Sequence, residues 1–267
     1  ASKETSSTDL EFCRAEAQRQ LERNIGYIAC VADVLHRRGL PHPRHSKSMI
    51  MNMQVESADA FLNALLRPGV ERYLEWGSGG STELVAWLAL SRQLPHNFHA
   101  YSLETSQIWM KRMREKQGSV IQSALHQGQL SYELTDIGPT GHLGFPTTFN
   151  PGNRTFRKGV EQNLVSLSRF NMRYDVVFID GRFRVACAIE ALRWIHNNST
   201  VMLHDSAPPM FEQRYRWYRK GVTPFYDIVG FNGSLMTAVP RASALAMAKQ
   251  DSNALQQVIW DALAHAE

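Results

Sequence analysis

Cysteine is scarce in this chain of 267 residues, and long apolar runs are missing from it. Cys13, Cys30 and Cys187 are not spaced as a metal-binding cluster, and any disulfide pairing leaves one of them over. No apolar run approaches the roughly 18 residues of a membrane-spanning helix. These absences argue against a cysteine metal site and a transmembrane segment, and they favour a reducing compartment such as the cytoplasm.

The lumen of the secretory pathway is the alternative compartment if an N-terminal segment has been removed, since the sequence does not begin with Met. Asn-X-Ser/Thr sequons at Asn153, Asn197, Asn198 and Asn232 would matter only in a secreted chain. Asn198 opens a predicted strand and Asn232 a predicted tight turn. Chance therefore explains these sequons adequately.

The net charge excludes few classes of binding partner. A value of +4 and a pI near 9.0 allow an acidic partner without requiring one. The densest basic group, Arg214, Arg216, Arg219 and Lys220, alternates with aromatic residues. This stretch forms either a nucleic-acid surface with stacking aromatics or a wall beside a substrate pocket. No clear nucleic-acid signature decides for the first interpretation.

The sequence predicts one α/β domain with an N-terminal extension. We expect residues 1–9 to be a flexible tail, residues 10–54 a helical extension and residues 55–267 the domain. Apolar residues in the extension form one helical stripe, and Gly39 ends it. The extension either packs on the domain, which we favour, or acts as a lid or homodimer contact. The stripe comprises Leu21, Ile25, Ile28, Ala32 and Leu35.

A short apolar strand in residues 70–76 ends near Glu75 and is followed by a glycine-rich turn with Gly77, Gly79 and Gly80. A helix predicted from about Ser81 presents unpaired amides at its start. This order is typical of a nucleotide-cofactor site. Thr82 stands where a dinucleotide fingerprint has its third glycine, and no lysine completes a phosphate loop.

Strand-like runs near residues 70, 99, 130, 174 and 200, most separated by helical stretches, predict a parallel sheet covered on both faces. After the fourth strand, a helical stripe comprises Val185, Ala186, Ile189, Leu192 and Ile195. Residues 225–231 and 235–239, joined through Asn232-Gly233, predict a hairpin.

Glu75-Trp-Gly77-Ser-Gly79 resembles motif I of the class I S-adenosylmethionine-dependent methyltransferases. Three phrases, at residues 74–82, 136–144 and 179–187, resemble a narrower group of methyltransferase-like proteins, over roughly residues 55–240. The resemblance implies a Rossmann-like fold with a mostly parallel seven-stranded sheet that ends in a β-hairpin. It also implies that S-adenosylmethionine is the cofactor.

The resemblance further implies a set of cofactor residues. The glycine-rich turn would hold the methionine part, the end of the second strand the ribose, and the end of the third strand the adenine. The residues are Glu75, Gly77, Ser78, Gly79, Ser81 and Thr82 at the turn, Glu104 and Thr105 after the second strand, Asp136 and Ile137 after the third, and Asp180.

Asp180, His204 and Asp205 follow the fourth and fifth strands and are the candidate catalytic residues. His204 is either a base near neutral pH or a structural histidine that faces a helix. Catechol-type methyltransferases bind magnesium with an Asp and an Asp-Asn pair at similar places, but Ser206 replaces the Asn here. We therefore assign no metal ligands and do not favour magnesium, and Arg182 and Arg184 can pair with these carboxylates or bind an anionic substrate.

We expect methyl transfer to an oxygen or nitrogen of a small-molecule or glycan-like acceptor. Residues 138–160 are predicted to form a loop near the acceptor pocket. A non-catalytic binding module on the same fold is one alternative. An NAD-dependent oxidoreductase is another, but the missing third glycine counts against it.

Overall fold

The computed structural model describes residues 29–41, 50–51, 53–116, 118–141, 146–147, 154–165, 172–206 and 212–264. The predicted tail at residues 1–9 and most of the predicted extension lie outside these residues. Among the described helices, none combines the length and apolar character needed to cross a bilayer.

The described part is a mixed α/β structure. Its strands are β1 (Ala29–Cys30), β2 (Ile50–Met51), β3 (Arg72–Trp76), β4 (His99–Glu104), β5 (Leu130–Leu134), β6 (Tyr174–Ile179), β7 (Ile195–Leu203), β8 (Tyr226–Asn232) and β9 (Leu235–Pro240). Its helices are α1 (Val31–Arg37), α2 (Val55–Leu65), α3 (Gly80–Leu90), α4 (Gln107–Lys116), α5 (Gly118–His126), α6 (Arg154–Val165), α7 (Arg184–Ala191), α8 (Glu212–Val222), α9 (Ala242–Gln250) and α10 (Ser252–Ala264).

Seven strands form one sheet in the order β5-β4-β3-β6-β7-β9-β8, and β9 runs antiparallel to both of its neighbours. This topology confirms the predicted Rossmann-like fold, including the hairpin, whose turn contains Gly233 at φ +58°. The parallel register pairs Trp76 with Leu103 and with Ile179, and Ile179 with Leu203. The residues that follow these four therefore meet at one edge of the sheet, where ligands bind in open α/β folds.

The sheet is buried on both faces. Tyr73 and Phe178 belong to a core cluster on one face with α2 and α3, whereas Leu74 and Val177 belong to the cluster on the other face with α7. This alternation follows from the two-residue period of a strand. Because both faces are covered, the sequences of the central strands are continuous apolar runs.

Three sequence predictions were wrong in detail. Ala29 and Cys30 pair with β2 instead of continuing the predicted helical stripe, of which Leu21, Ile25 and Ile28 lie outside the described residues. Ile195 begins β7, so the strand starts five residues before the predicted Thr200 and the helical stripe ends earlier. Residues 154–160 are helical, which shortens the predicted loop at 138–160.

The described part of the extension packs on the domain, as favoured. Leu35 is fully buried in the cluster that also holds Phe61. Arg38 Nε donates to Asp59 Oδ1 at 2.9 Å, and the indole nitrogen of Trp87 donates to the carbonyl of Pro41 at 3.0 Å. These contacts attach residues 34–41 to α2 and α3.

Candidate functional site

The loops that leave β3 and β6 cross in direct contact. The backbone amides of Asp180 and Gly181 donate to the carbonyl oxygen of Trp76 at 2.9 and 2.7 Å. Gly77 has a φ of +90°, and a Cβ there would lie 2.4 Å from the amide nitrogen of Gly181. Only glycine satisfies both the positive φ and the close approach. The crossing fixes the glycine-rich turn against the loop that carries Asp180.

Glu75 is fully buried near the end of β3. Its carboxylate accepts hydrogen bonds from the hydroxyl of Ser81, from Thr82 at 2.6 Å and from Ser102 at 2.8 Å. Burial raises its pKa to about 7, although the three hydroxyls oppose that rise. The carboxylate thus ties β4 and the first turn of α3 to β3, and its direct role toward a methionine group stays a prediction.

Glu104 lies at the end of β4 and organises the glycine-rich turn. Its Oε2 accepts hydrogen bonds from the amide and the hydroxyl of Ser78, at 3.1 and 2.6 Å, while Oε1 accepts from the amides of Thr105 and Ser106, both at 2.8 Å. The side chain is 6% exposed, and burial raises its pKa. A buried carboxylate surrounded by neutral donors therefore stands where the sequence predicts the ribose contact.

Ser78 is held from three directions. Its hydroxyl also contacts the hydroxyl of Tyr132 at 2.6 Å, and its carbonyl accepts from the indole nitrogen of Trp109 at 2.7 Å. The next residue, Gly79, is different: its amide donates to the Thr82 hydroxyl at 3.0 Å, but a Cβ there would meet no atom within 4 Å. Open space therefore lies beside the turn at Gly79.

The predicted adenine residues follow β5. Asp136 is exposed, and its Oδ1 accepts from the amide of Gly138 at 2.9 Å. Ile137 is buried, and its backbone contacts α6 so closely that a Cβ at Gly159 would lie 2.7 Å from the Ile137 Cα. The helix α6, which the sequence prediction missed, thus supports this part of the site. The spacing of Val160 and Leu164 was the signal for it.

Asp180, His204 and Asp205 come together around one cation, the guanidinium of Arg184. Its Nη2 donates to Asp180 Oδ1 at 3.0 Å, its Nη1 to Asp205 Oδ2 at 3.0 Å, and His204 Nδ1 contacts Asp180 Oδ1 at 2.9 Å. Three further bonds, to the backbone carbonyls of Gly181, Asp180 and His204, complete all five donors of Arg184.

The charges in this cluster shift the pKa values in opposite directions. For His204, burial lowers the pKa but attraction to Asp180 outweighs it, so the pKa is raised. For Asp180, burial acts to raise the pKa, and attraction to His204 and Arg184 brings it below its usual range. Each partner thus favours the charged form of the other, imidazolium beside carboxylate.

The Nε2 atom of His204 is the open position of the cluster. The side chain is 3% exposed, and among the described residues Nε2 has no hydrogen-bond partner. Burial agrees with a structural histidine, whereas an unsatisfied buried nitrogen indicates a ligand contact. Asp205 adds a φ of +52°, a strained conformation of the kind that is found at functional sites.

The donor set does not fit a magnesium ion. Asp180, His204 and Asp205 each offer a ligand atom, and these atoms lie within 4.8 Å of one another. The guanidinium of Arg184 contacts both carboxylates, however, so it supplies the charge that a metal would supply. Magnesium also prefers oxygen ligands in an octahedron, and His204 would place a nitrogen there.

No protein-family model matches the sequence, and no curated protein matches it. A methyltransferase-like protein from Silicibacter pomeroyi has a similar structure, with a TM-score of 0.55, 25% identity and coverage of 78% of this chain and 96% of that chain.

Two more distant likenesses are the fibrillarin pre-rRNA processing protein of Methanococcus jannaschii and the TDP-rhamnose 3′-O-methyltransferase of calicheamicin biosynthesis. The first has a TM-score of 0.40 and 10% identity over 67% of this chain and 74% of that chain. The second has a TM-score of 0.42 and 11% identity over 68% and 76%. Together with the sheet order, the similarity to the Silicibacter protein shows that this chain has the fold of the class I methyltransferases.

Proposed function

We propose that this chain transfers the methyl group of S-adenosylmethionine to an oxygen or nitrogen of a small or medium-sized acceptor. The observation that carries the proposal is the crossing of the β3 and β6 loops, because it joins the glycine-rich turn to the Asp180 and His204 pair. Methyl transfer needs a donor and an acceptor in line, and a hydroxyl or ammonium acceptor must also lose a proton.

The residues around the turn fit the cofactor. The open space at Gly79 accommodates a ligand beside the backbone. Glu104 already accepts a hydroxyl hydrogen bond from Ser78, and the vicinal hydroxyls of a ribose are donors of the same kind. Asp136 is exposed and offers an acceptor for the adenine amine. Glu75, Ser81 and Thr82 would act indirectly, by holding the first turn of α3 in place.

The bound cofactor would supply the activated methyl group. His204 would accept the acceptor's proton at Nε2, because Asp180 holds the ring through Nδ1. Arg184 would keep Asp180 and Asp205 in position. Since the pKa of His204 is raised, the neutral imidazole that accepts a proton becomes more abundant as pH rises above the usual range of histidine.

Calorimetric titration with S-adenosylmethionine, S-adenosylhomocysteine and NAD, each with and without magnesium, tests the cofactor. We expect binding of the first two with a Kd on the order of micromolar, unchanged by magnesium. NAD binding alone would favour the oxidoreductase. Silence from all three would leave a non-catalytic module.

A glycine variant locates the site. Gly79→Val fills the open space and should weaken S-adenosylhomocysteine binding about tenfold or more, a loss of about 1.4 kcal/mol. Gly230→Val on β8 is the matched control, because a Cβ at Gly230 also meets nothing within 4 Å. Equal affinities of the two variants would place the cofactor elsewhere.

A further inference from the structure

One face of α8 carries a row of cationic side chains. Arg216 lies three and four residues before Arg219 and Lys220, which puts these cations on the same side of the helix, and Thr223 follows its end. They line a groove of about 620 Å³ together with Ile228 and Phe231 of β8. Among the described residues that line this groove, none is acidic.

A β-bulge shapes the other wall of the groove. The register of β8 against β9 shifts between Ile228, which pairs with Ala238, and Gly230, which pairs with Thr237. Ile228 and Phe231 consequently lie on the same face of the sheet although they are three residues apart, while Val229 is 66% exposed. Bulges of this kind re-aim side chains next to functional sites.

The opposite side of α8 is fixed to the Arg184 cluster. A Cβ at Gly221 would lie 2.5 Å from a methyl group of Val185, so glycine allows α8 to pack tightly on α7. Tyr218 places its ring 5.6 Å from the guanidinium carbon of Arg184. The position of the basic groove is therefore coupled to the position of the candidate catalytic residues.

The Phe231 end of the groove lies near the edge of the sheet where β7 ends. Leu203 pairs with Met236 on β9, and Met236 pairs with Phe231 on β8. Two strand spacings therefore separate Phe231 from the end of β7, which is about 10 Å. The ring of His204 lies near Phe178, which belongs to the core cluster on the opposite face of the sheet, so the groove is separate from His204.

The lining is suited to phosphate. Guanidinium groups bind phosphate oxygens in a bidentate manner, and Arg219 lies against the ring of Phe231 at 5.8 Å, which holds its charge at the groove. Apolar Ile228 and Phe231 offer contact to an organic part of the ligand.

We propose that this groove binds a phosphate-bearing organic molecule, with the phosphate or diphosphate at Arg216, Arg219 and Lys220. This inference goes beyond the proposed function, because it assigns a second ligand site.

Calorimetric titration with inorganic pyrophosphate tests the groove without any methyl transfer. The wild type should bind it, and the triple variant Arg216→Gln, Arg219→Gln, Lys220→Gln should bind about tenfold or more weakly. The control triple variant Lys111→Gln, Arg112→Gln, Lys249→Gln removes the same charge from exposed positions elsewhere, and it should stay within about twofold of the wild type.

Three results would overturn the inference: no pyrophosphate binding by the wild type, equal weakening in both triple variants, or a single-stranded oligonucleotide that binds the groove far more tightly than pyrophosphate does. The same samples are titrated with S-adenosylhomocysteine, which both triple variants should bind like the wild type. If the wild type fails to bind S-adenosylhomocysteine, the proposed function fails, whereas failure of pyrophosphate alone removes only the groove assignment.

Discussion

Two groups of carboxylates stand at the same edge of the sheet, and the protein stabilises them in different ways. Glu75 and Glu104, at the ends of β3 and β4, accept hydrogen bonds from hydroxyls and backbone amides. Asp180 and Asp205, after β6 and β7, contact the guanidinium of Arg184 instead. Burial raises the pKa of Glu75 to about 7 against the effect of its neutral donors, whereas attraction to His204 and Arg184 lowers the pKa of Asp180 despite burial.

This difference matches the two tasks that we propose for this edge of the sheet, cofactor binding and removal of a proton from the acceptor. The donors to Glu104 are neutral, as ribose hydroxyls are. A ribose hydroxyl could therefore replace one of these donors without leaving the Glu104 carboxylate buried and unpaired. Arg184 keeps Asp180 ionised, and an ionised Asp180 orients His204 through Nδ1. On this proposal, a cofactor can replace hydrogen bonds at Glu104, whereas Arg184 holds the charges of Asp180 and Asp205 in fixed positions.

Disrupting the crossing of the β3 and β6 loops, which joins the two groups of carboxylates, should have the largest effect on the free energy of unfolding. Gly77→Ala drives a Cβ into the backbone of Gly181 and strains a φ of +90°, and we expect a loss of about 3 kcal/mol or more in the free energy of unfolding. Chemical denaturation measures it. Gly79→Ala is the control: its φ of −179° is extended and its surroundings are open, so unfolding should change by less than about 1 kcal/mol. Similar losses for both variants would contradict the crossing.

Removing the cation should come next. Arg184→Met leaves Asp180 and Asp205 with His204 as their remaining counter-charge, and we expect a loss of about 2 to 3 kcal/mol, moderated because both carboxylates are partly exposed. Denaturant unfolding at neutral pH measures this loss. Arg112→Met on the exposed side of α4 should change stability by less than about 0.5 kcal/mol. If addition of magnesium stabilised the wild type as well, a metal would share the site.

Titration of Glu75, which accepts hydrogen bonds from neutral donors, should give a pH-dependent effect. Because the pKa of Glu75 is higher in the folded protein than its ordinary value of 4.5, folding favours its protonated form. Its contribution to stability is full below about pH 4.5 and is lost as pH rises through about 7, with a total on the order of 3 kcal/mol.

The variant Glu75→Gln isolates this contribution. Glu190 titrates in the same range, with its pKa also raised to about 7 by burial, so the difference between wild type and variant is the quantity to measure. Unfolding curves between pH 4 and 8 should show a shallower decline in the variant. A wild-type stability that rises through this window relative to the variant would have the wrong sign.

The smallest effect concerns one proton. His99 is a histidine whose pKa is lowered by burial, whereas the pKa of His204 is raised by Asp180. Nuclear magnetic resonance of the imidazole signals should therefore show His99 titrating below the usual histidine range and His204 above it. Asp180→Asn should lower the pKa of His204 and leave that of His99 unchanged. An unshifted His204 would remove Asp180 as its orienting partner.

The fold could be predicted from the sequence because the central strands are buried on both faces and end in polar residues. Glu104, Asp180 and His204 each directly follow such a run. The missed features depend on distant pairing: Ala29 and Cys30 form a strand only because Ile50 and Met51 lie beside them. Likewise, Ile195 continues the helical spacing, but it pairs with Tyr174.

The sequence predicted where the candidate residues lie, but it did not predict which residues they contact. Strand ends locate the carboxylates, yet their partners come from other strands and loops. Ser102 reaches Glu75 because register sets the two residues side by side on β4 and β3. Arg184 was recognised as a cation near Asp180 and Asp205, but only the structure shows that it joins both.

The measurement that tests the central claim most directly is a calorimetric comparison of S-adenosylhomocysteine binding by the wild type, Glu104→Ala and the surface control Glu115→Ala. The account predicts a Kd on the order of micromolar for the wild type and the control, and a Kd about tenfold or more higher for Glu104→Ala. Absence of binding to the wild type, or an affinity that Glu104→Ala leaves unchanged, would contradict it.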